Sequence, residues 1–250
     1  NPLMRMGKKE FVSVRITESP YLPPYFRTME RYNRDGAPLR HPPILRPLTV
    51  PELDLLRNDG GQILDIRAPG SFASGHIPGS YSIWRGGISS FAGWFLNYED
   101  PIIIIDDFNQ NPGQVTLQLF RLGYDNIAGI LAGGTAAWFK SAREIDTTGA
   151  CSVRQLKEHL DRSTPFLLDV RDIRNRRAVG SIRNSHHVYV GELLRHLEEI
   201  PVYEPVFIYC DAGYKGSLAA SILAQHHYRR VTNVLGGMTA WKQAGFPVEH

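Results

Sequence analysis

The sequence predicts an α/β protein built from two copies of one domain, each a mostly parallel sheet covered by helices. Two observations support this fold class. Short apolar segments of strand length alternate with amphipathic helical segments, which is typical of parallel sheets buried on both faces. The same motifs also occur twice, in the same order, about 104 residues apart. An offset this long indicates a duplicated domain and excludes a solenoid repeat.

The duplication sets the domain boundaries. Residues 63–67 (ILDIR) match 167–171 (LLDVR), and residues 131–138 (LAGGTAAW) match 235–241 (LGGMTAW). We therefore predict a first repeat over 46–147 and a second over 148–250. The preceding 1–45 segment lacks these motifs and is rich in proline and aromatic residues over 20–26, so we expect an irregular arm.

The elements of each copy follow in a fixed order. A capping box, Thr49 with Glu52 and Ser152 with Gln155, predicts a helix start. A short strand ending in Asp-Ile/Val-Arg comes next, and then an apolar strand over 101–105 or 205–209. A loop and an amphipathic helix follow, with apolar residues in helical spacing: Val115, Leu119 and Leu122 in the first copy, Leu218, Ile222 and Leu223 in the second. A Gly-Gly turn then leads into a last helix whose tryptophan should face inward.

Composition excludes several classes of protein. The 250 residues are 42% hydrophobic, which is enough for a packed core and argues against disorder. No apolar stretch approaches the roughly 18 residues of a membrane helix. The net charge of +3 is too small to predict nucleic-acid binding. The two cysteines are too few for a disulfide framework and favour a reducing compartment, the cytoplasm.

The strongest candidate site is a loop that follows the strand over 205–209 and precedes a helix. It consists of Cys210, Asp211, Ala212, Gly213, Tyr214, Lys215 and Gly216. Catalytic groups collect at the carboxyl ends of parallel strands. Backbone amides, the helix N-terminus and the lysine charge would all favour a thiolate there, so we expect Cys210 to be a nucleophile. The alternative is that Cys210 is a small buried apolar residue.

These motifs, together with Gly-His-Ile-Pro-Gly at 75–79, resemble the rhodanese family over residues 46–250. The resemblance implies two tandem rhodanese-like domains, each with a five-stranded parallel sheet. It implies sulfane-sulfur transfer from thiosulfate or a persulfide to a thiol, with Cys210 carrying the persulfide and Asp211 to Gly216 binding the substrate. No cofactor and no metal site are predicted.

The loop departs from the family pattern at Lys215, where single-domain members commonly have arginine. Lysine keeps the positive charge but lacks the paired N–H donors of arginine. We therefore expect the change to affect the choice of sulfur donor more than activity. Related phosphatases use a loop one residue longer, with cysteine and arginine six apart. Cys210 and Lys215 are five apart, which favours sulfur over a phosphoryl group as cargo.

The first copy has Asp106 at the position of Cys210 and Asn111 at that of Lys215. A carboxylate cannot carry sulfane sulfur, so we predict an inactive repeat. A site for acid–base chemistry or a metal on Asp106 and Asp107 is the rival interpretation.

Four further features of the sequence lead to smaller expectations. Asp65 and Asp169 should pair with a helix N-terminus or near Arg67 and Arg171 rather than act in catalysis. The segment 180–185 differs from 75–80 and should shift a turn. Cys151 should fill the core, with a role as resolving thiol for Cys210 as the alternative. Arg174, Arg176 and Arg177 form a basic cluster that is either solvated or steers anionic donors.

The arm resembles the tail that follows a metallo-β-lactamase-fold domain in fusions with rhodaneses. The resemblance rests on residues 1–3, 20–26, 29–31 and 33. It implies an upstream metallo-hydrolase domain related to persulfide dioxygenases. A competing function is then a non-catalytic docking or regulatory module of a sulfide-metabolising hydrolase, in which Cys210 is unused.

Overall fold

The computed structural model describes residues 2–17, 21–108 and 111–250. The arm, expected to be irregular, contains a 3₁₀ turn and two helices: Pro2–Arg5, α1 (Lys8–Thr17) and α2 (Phe26–Asp35). Tyr25 packs so closely on Gly93 of the first repeat that a Cβ there would lie 2.2 Å from its ring. Residues 1 and 18–20, on which part of the arm's resemblance depends, lie outside the described residues.

The first repeat forms one parallel sheet in the order β1-β5-β4-β2-β3. Its elements are β1 (Pro47–Leu48), α3 (Val50–Asn58), β2 (Gln62–Asp65), α4 (Pro69–Ser74), β3 (Tyr81–Ser82), α5 (Ile88–Phe95), β4 (Ile102–Ile105), α6 (Pro112–Arg121), β5 (Ile127–Leu131) and α7 (Gly134–Lys140). A 3₁₀ turn over Arg85–Gly87 precedes α5.

The second repeat repeats this order as β6-β10-β9-β7-β8, again all parallel. Its elements are β6 (Gly149–Ser152), α8 (Val153–Arg162), β7 (Phe166–Asp169), α9 (Ile173–Val179), β8 (His186–His187), β9 (Val206–Tyr209), α10 (Tyr214–Gln225), β10 (Val231–Leu235) and α11 (Gly237–Gln243). Two 3₁₀ segments, Val190–Arg195 and Leu197–Glu199, precede β9. The predicted pair of parallel, helix-flanked five-stranded sheets is confirmed.

Local signals in the sequence produce the predicted helix starts and core positions. Both capping boxes form, with the side chains of Thr49 and Ser152 accepting the backbone N–H three residues on. The tryptophans of the last helices, Trp138 and Trp241, are buried as expected. Among the described residues, no helix combines the length and the apolarity that a membrane span requires.

The turn after α9 corrects one expectation. Segment 180–185 does not shift it, because Ser185 N–H donates to the Ile182 carbonyl just as Ser80 N–H donates to Ile77. Asn184 adopts φ +58°, the left-handed conformation that Gly79 adopts in the first repeat. Asparagine tolerates this region better than most residues, so the change of sequence preserves the turn.

The two repeats share one hydrophobic core. A single buried cluster contains Ile83 and Trp94 from the first repeat and Val190, Leu193 and Ala219 from the second. Two smaller clusters lie on the far faces of the two sheets. The shared cluster lies beside α10, the helix that follows the Cys210 loop, so the first repeat takes part in positioning that loop.

Candidate active site at the Cys210 loop

Cys210 directly follows the carboxyl end of β9, a central strand of the second sheet. Its side chain is almost completely buried, with 1% of the residue exposed. The Sγ atom accepts a hydrogen bond from the Gly213 backbone N–H at 3.1 Å. A backbone donor aimed at sulfur stabilises negative charge on it, which is what a nucleophilic thiolate needs.

The first four carbonyl groups of the loop are bound by the segment formed by β10 and α11. Those of Cys210, Asp211 and Ala212 accept the N–H groups of Met238, Thr239 and Gly236 at 2.7, 3.0 and 3.2 Å. The Asn233 side-chain amide holds the fourth carbonyl, that of Gly213, at 2.9 Å. Because C=O and N–H in a trans peptide point in opposite directions, this arrangement turns the loop amides inward.

Two glycines make this loop possible. Gly213 has φ +97°, a conformation that other residues rarely adopt. A Cβ on Gly237 would lie 2.2 Å from the Cys210 carbonyl oxygen, so only glycine allows α11 to approach the loop this closely. The second glycine of the Gly-Gly turn thus serves the Cys210 loop as well as the helix it begins.

Lys215 does not lie where the sequence analysis expected. Its Nζ donates to Asp211 Oδ2 at 2.6 Å, within the same loop. The expected contact with the sulfur or with an incoming anion is replaced by an ion pair that offsets the ammonium charge. The lysine side chain is 18% exposed and that of the aspartate 37%, so this pair lies at the solvent edge of the loop.

The first repeat borders the loop, which the sequence analysis missed. The ring of Trp84 lies 5.0 Å from that of Tyr214. Ser82 Oγ lies 2.8 Å from Ser217 Oγ in the first turn of α10, and Ser82 N–H donates to Ser221 Oγ. These contacts join residues 130 or more positions apart, and no local pattern marks them.

The aspartates at the ends of β2 and β7 pair with the neighbouring arginines, as predicted. Asp169 accepts Arg171 Nε at 2.9 Å and Nη2 at 2.7 Å, and both side chains are fully buried. Asp65 and Arg67 repeat this arrangement in the first copy. Tyr209 OH also donates to Asp169 at 2.9 Å, and burial raises the pKa of Tyr209 to about 12. Each pair thus fixes a strand end.

The basic cluster on α9 is only partly solvated. Arg174 pairs with Asp172, while Arg176 reaches Asp169 at 3.5 Å and donates to the Ser185 carbonyl. Arg177 is exposed. Two of the three arginines therefore have structural partners.

Cys151 fills the core, as expected. It lies on the edge strand β6, and burial raises its pKa to about 11. Strand β10 separates β6 from β9, so the two cysteines sit two strand spacings apart, about 9.5 Å. They also belong to different hydrophobic clusters. This geometry does not support Cys151 as a resolving thiol.

In the first repeat, Asp106 occupies the position of Cys210 and is 7% exposed. The loop has no cation of its own, but Arg85 supplies one by donating to Asp106 Oδ2 at 2.6 Å. Asp107 accepts the N–H of Thr135 and lies 3.5 Å from Arg67. Both carboxylates thus have partners. The described residues contain no metal-binding group of three or more His, Cys, Asp or Glu, and Asn109 and Gln110 lie outside them. This argues against the acid–base or metal interpretation.

The fold and the site define a class: paired α/β domains with one cysteine-bearing loop at the carboxyl end of a parallel sheet. A sequence model described as "Rhodanese-like domain" matches residues 49–141 and 152–244. The chain therefore belongs to the rhodanese-like domain family, in tandem form.

Individual relatives agree with this assignment. A thiosulfate sulfurtransferase GlpE of Actinobacillus pleuropneumoniae serotype 5b (strain L20) is 30% identical over 104 residues, which is 42% of this chain and 95% of that protein. A protein named sulfurtransferase from Allochromatium vinosum is 40% identical over 52 residues, 21% of this chain and 49% of that one.

Solved structures are similar as well. A rhodanese-like domain protein from Staphylococcus aureus has 25% identity and a TM-score of 0.37, covering 41% of this chain and 100% of that one. A thiosulfate sulfurtransferase from Pseudomonas aeruginosa has 20% identity and a TM-score of 0.36, covering 90% of this chain and 43% of that one.

Proposed function

We propose that the protein is a sulfurtransferase that carries sulfane sulfur on Cys210. The observation that carries the proposal is the Gly213 N–H···Sγ bond at the carboxyl end of β9, in a loop whose first four carbonyls are bound by the β10 and α11 segment. The similarity to the thiosulfate sulfurtransferase and the sulfurtransferase described above supports a sulfur-transfer reaction.

The reaction has two balanced half-steps. The Cys210 thiolate attacks the outer sulfur of thiosulfate; a new S–S bond forms, the donor's S–S bond breaks, and sulfite leaves with the electron pair. An acceptor thiolate then attacks the terminal sulfur of the Cys210 persulfide. The acceptor leaves as a persulfide and Cys210 returns as a thiolate. A low-molecular-weight persulfide would donate in the same way, with its thiolate as leaving group.

The loop residues have separate roles in this proposal. The inward amides of Asp211, Ala212 and Gly213 stabilise charge on the sulfur that is being transferred. Tyr214 and Gly216 shape the loop wall, and Lys215 provides a cation for which Asp211 competes with an anionic donor. The first repeat, with Asp106 paired to Arg85, transfers no sulfur and supports the Cys210 loop through α10.

The competing function is a docking module in which Cys210 is unused, and the near-complete burial of Cys210 favours it. Thiosulfate:cyanide and thiosulfate:thiol transfer assays on the wild type and Cys210→Ser separate the two. We expect Cys210→Ser to abolish transfer while the circular dichroism spectrum stays unchanged.

Two matched variants serve as controls. Cys151→Ser removes the other thiol, and Asp106→Ala removes the residue at the equivalent position of the first repeat. Both should retain near-wild-type transfer. Full activity in Cys210→Ser would overturn the mechanism, and a loss in folded Asp106→Ala equal to that of Cys210→Ser would show that the first repeat is catalytic.

Two wider proposals concern the parent chain and the compartment in which the protein works. The parent chain would carry an upstream metallo-hydrolase domain, on the resemblance of the arm. The working compartment would be a reducing one, the cytoplasm, because both cysteines are free and Cys210 needs its thiolate.

A further inference from the structure

A cavity of about 810 Å³ opens in the second repeat, at the end of the sheet opposite to Cys210. Its walls come from the start of β6, one side of α8 and the segment before β10. Pro205 lies at its rim and Cys210 follows the other end of β9. Four residues of strand separate the two ends by about 13 Å, so the cavity is distinct from the sulfur-transfer site.

Three arginines from two separate elements line this cavity. Arg162 ends α8, and Arg229 and Arg230 directly precede β10. All three side chains are exposed, and none has an ion-pair partner in the described part of the chain. The single carboxylate in the lining is Glu158, so the lining carries a net positive charge at neutral pH.

This lack of partners is unusual for the second repeat. Most of its other arginines pair with carboxylates: Arg171 and Arg176 with Asp169, Arg174 with Asp172, Arg183 with Glu249 and Arg195 with Glu192. The guanidinium groups around the cavity are thus left available for an external anion.

The first repeat has the opposite charge at two of these three positions. Val206 N–H donates to the Arg230 carbonyl, and Ile102 N–H donates to Asn126, which aligns Arg230 with Asn126 and Arg229 with Asp125. Arg162 and Asp59 each lie ten residues after the helix caps Ser152 and Thr49. Two arginines therefore stand where the duplicated domain has aspartates, Asp59 and Asp125.

The cavity also offers an apolar surface for the uncharged part of a ligand. Phe207 lines it, and the ring of His159 lies 5.0 Å from the phenyl ring. A volume of about 810 Å³ is within the range of small-molecule sites and far exceeds what an inorganic anion fills. Cys151 also lines the cavity. Its pKa of about 11 keeps the thiol neutral, so it adds no negative charge that would repel an anion.

We propose that this cavity binds a phosphorylated organic molecule the size of a nucleoside diphosphate. Its phosphates would lie on Arg162, Arg229 and Arg230, and its ring would lie against Phe207 and His159. Guanidinium groups match phosphate oxygens through paired hydrogen bonds, which favours this class over a single-charge ligand.

Isothermal titration calorimetry at low ionic strength, with ADP as the probe, tests the proposal. We expect saturable binding of ADP, weaker binding of pyrophosphate, which lacks the ring, and none of adenosine, which lacks the charge. Arg162→Asp and Arg229→Asp, which install the residues of the first repeat, should each raise the Kd by about tenfold or more. Cys210→Ser should bind as the wild type does, which keeps this test independent of sulfur transfer.

Arg154→Asp is the matched control, because Arg154 is exposed on the same helix and lies outside the cavity. It should leave the Kd within about twofold. Absence of ADP binding to folded wild-type protein would overturn the proposal, as would an equal loss in Arg154→Asp. Citrate that binds more tightly than ADP would overturn the choice of phosphate, and adenosine that binds as well as ADP would overturn the role of the arginines.

Discussion

The environment of Lys215 shows how one contact changes the chemistry expected of a side chain. Five residues after Cys210, the lysine has the position of a substrate-binding cation, yet its ammonium pairs with Asp211 at 2.6 Å. The carboxylate therefore competes with an anionic donor for the same charge. The Asp211 backbone is held separately, because its carbonyl accepts Thr239 N–H, so changing the side chain should leave the loop in place.

We predict that Asp211→Asn raises kcat/KM for thiosulfate, because it frees the Lys215 ammonium. The gain should be about two- to fivefold, the range of a partly exposed ion pair. Lys215→Met should lower kcat/KM for thiosulfate, with a smaller loss for a neutral persulfide donor. The double variant should show no gain over Lys215→Met, and a gain there would mean that Asp211 acts without the lysine.

At the scale of elements, His76 joins α4 to the segment that links the two repeats. His76 and Asp146 exchange backbone hydrogen bonds of 2.9 and 3.0 Å. The ring stacks on Phe72 at 3.8 Å, and Nδ1 donates to the Phe72 carbonyl at 3.0 Å. Burial lowers the pKa of His76 below its ordinary value of 6.5. The folded state therefore holds this side chain neutral.

This pKa shift predicts a pH dependence of stability. Well above pH 6.5 the His76 side chain is neutral in both the folded and the unfolded state. It then contributes nothing to the slope of the unfolding free energy against pH. Below pH 6.5 the unfolded state takes up the proton first, so the free energy of unfolding falls as the pH drops. His76→Phe should lower the free energy of unfolding by about 1 kcal/mol at pH 7.5, because the hydrogen bond to the Phe72 carbonyl is lost. Its free energy of unfolding should also depend less on pH between pH 7 and 5.

Urea unfolding across this pH range gives the measurement. His226→Gln, at an exposed position, is the control and should follow the wild-type curve. A wild-type slope in folded His76→Phe would assign the pH dependence to another group.

At the scale of the molecule, the two repeats are coupled through the shared core. Trp94 of the first repeat packs edge-on to Tyr189 of the second at 5.7 Å, and Tyr21 of the arm stacks on the same tyrosine at 4.2 Å. Gln225 of α10 donates to the Ser80 carbonyl across the interface. Unfolding one repeat would expose the apolar surface of the other.

We therefore predict one cooperative unfolding transition, with calorimetric and van't Hoff enthalpies in agreement. Trp94→Ala should lower the free energy of unfolding by about 3–5 kcal/mol, because it opens a cavity in the shared core. Amide hydrogen exchange should show protection lost in both repeats together. Two separated transitions in the wild type, or loss confined to the first repeat, would contradict this coupling.

The sequence by itself determined what depends on local pattern and on duplication. Apolar strands alternating with amphipathic helices define the layers, and the capping boxes at Thr49 and Ser152 fix helix starts within a few residues. Cys210 and Asp106 could be placed at equivalent strand ends because the repeats align. The buried Asp–Arg pairs could also be expected, since the two residues of each pair are two positions apart.

Only the tertiary structure decided which distant side chains meet. Arg85 reaches Asp106 from the 3₁₀ turn before α5. Trp84 contacts the Cys210 loop and Ser82 contacts α10, both from the other repeat, and three arginines line one cavity from two elements. The helices of the arm also escaped the sequence analysis, because the proline and aromatic residues that precede α2 obscured them. Contacts between residues far apart in sequence depend on how helices and strands pack against each other. The spacing of residues along the chain does not reveal that packing.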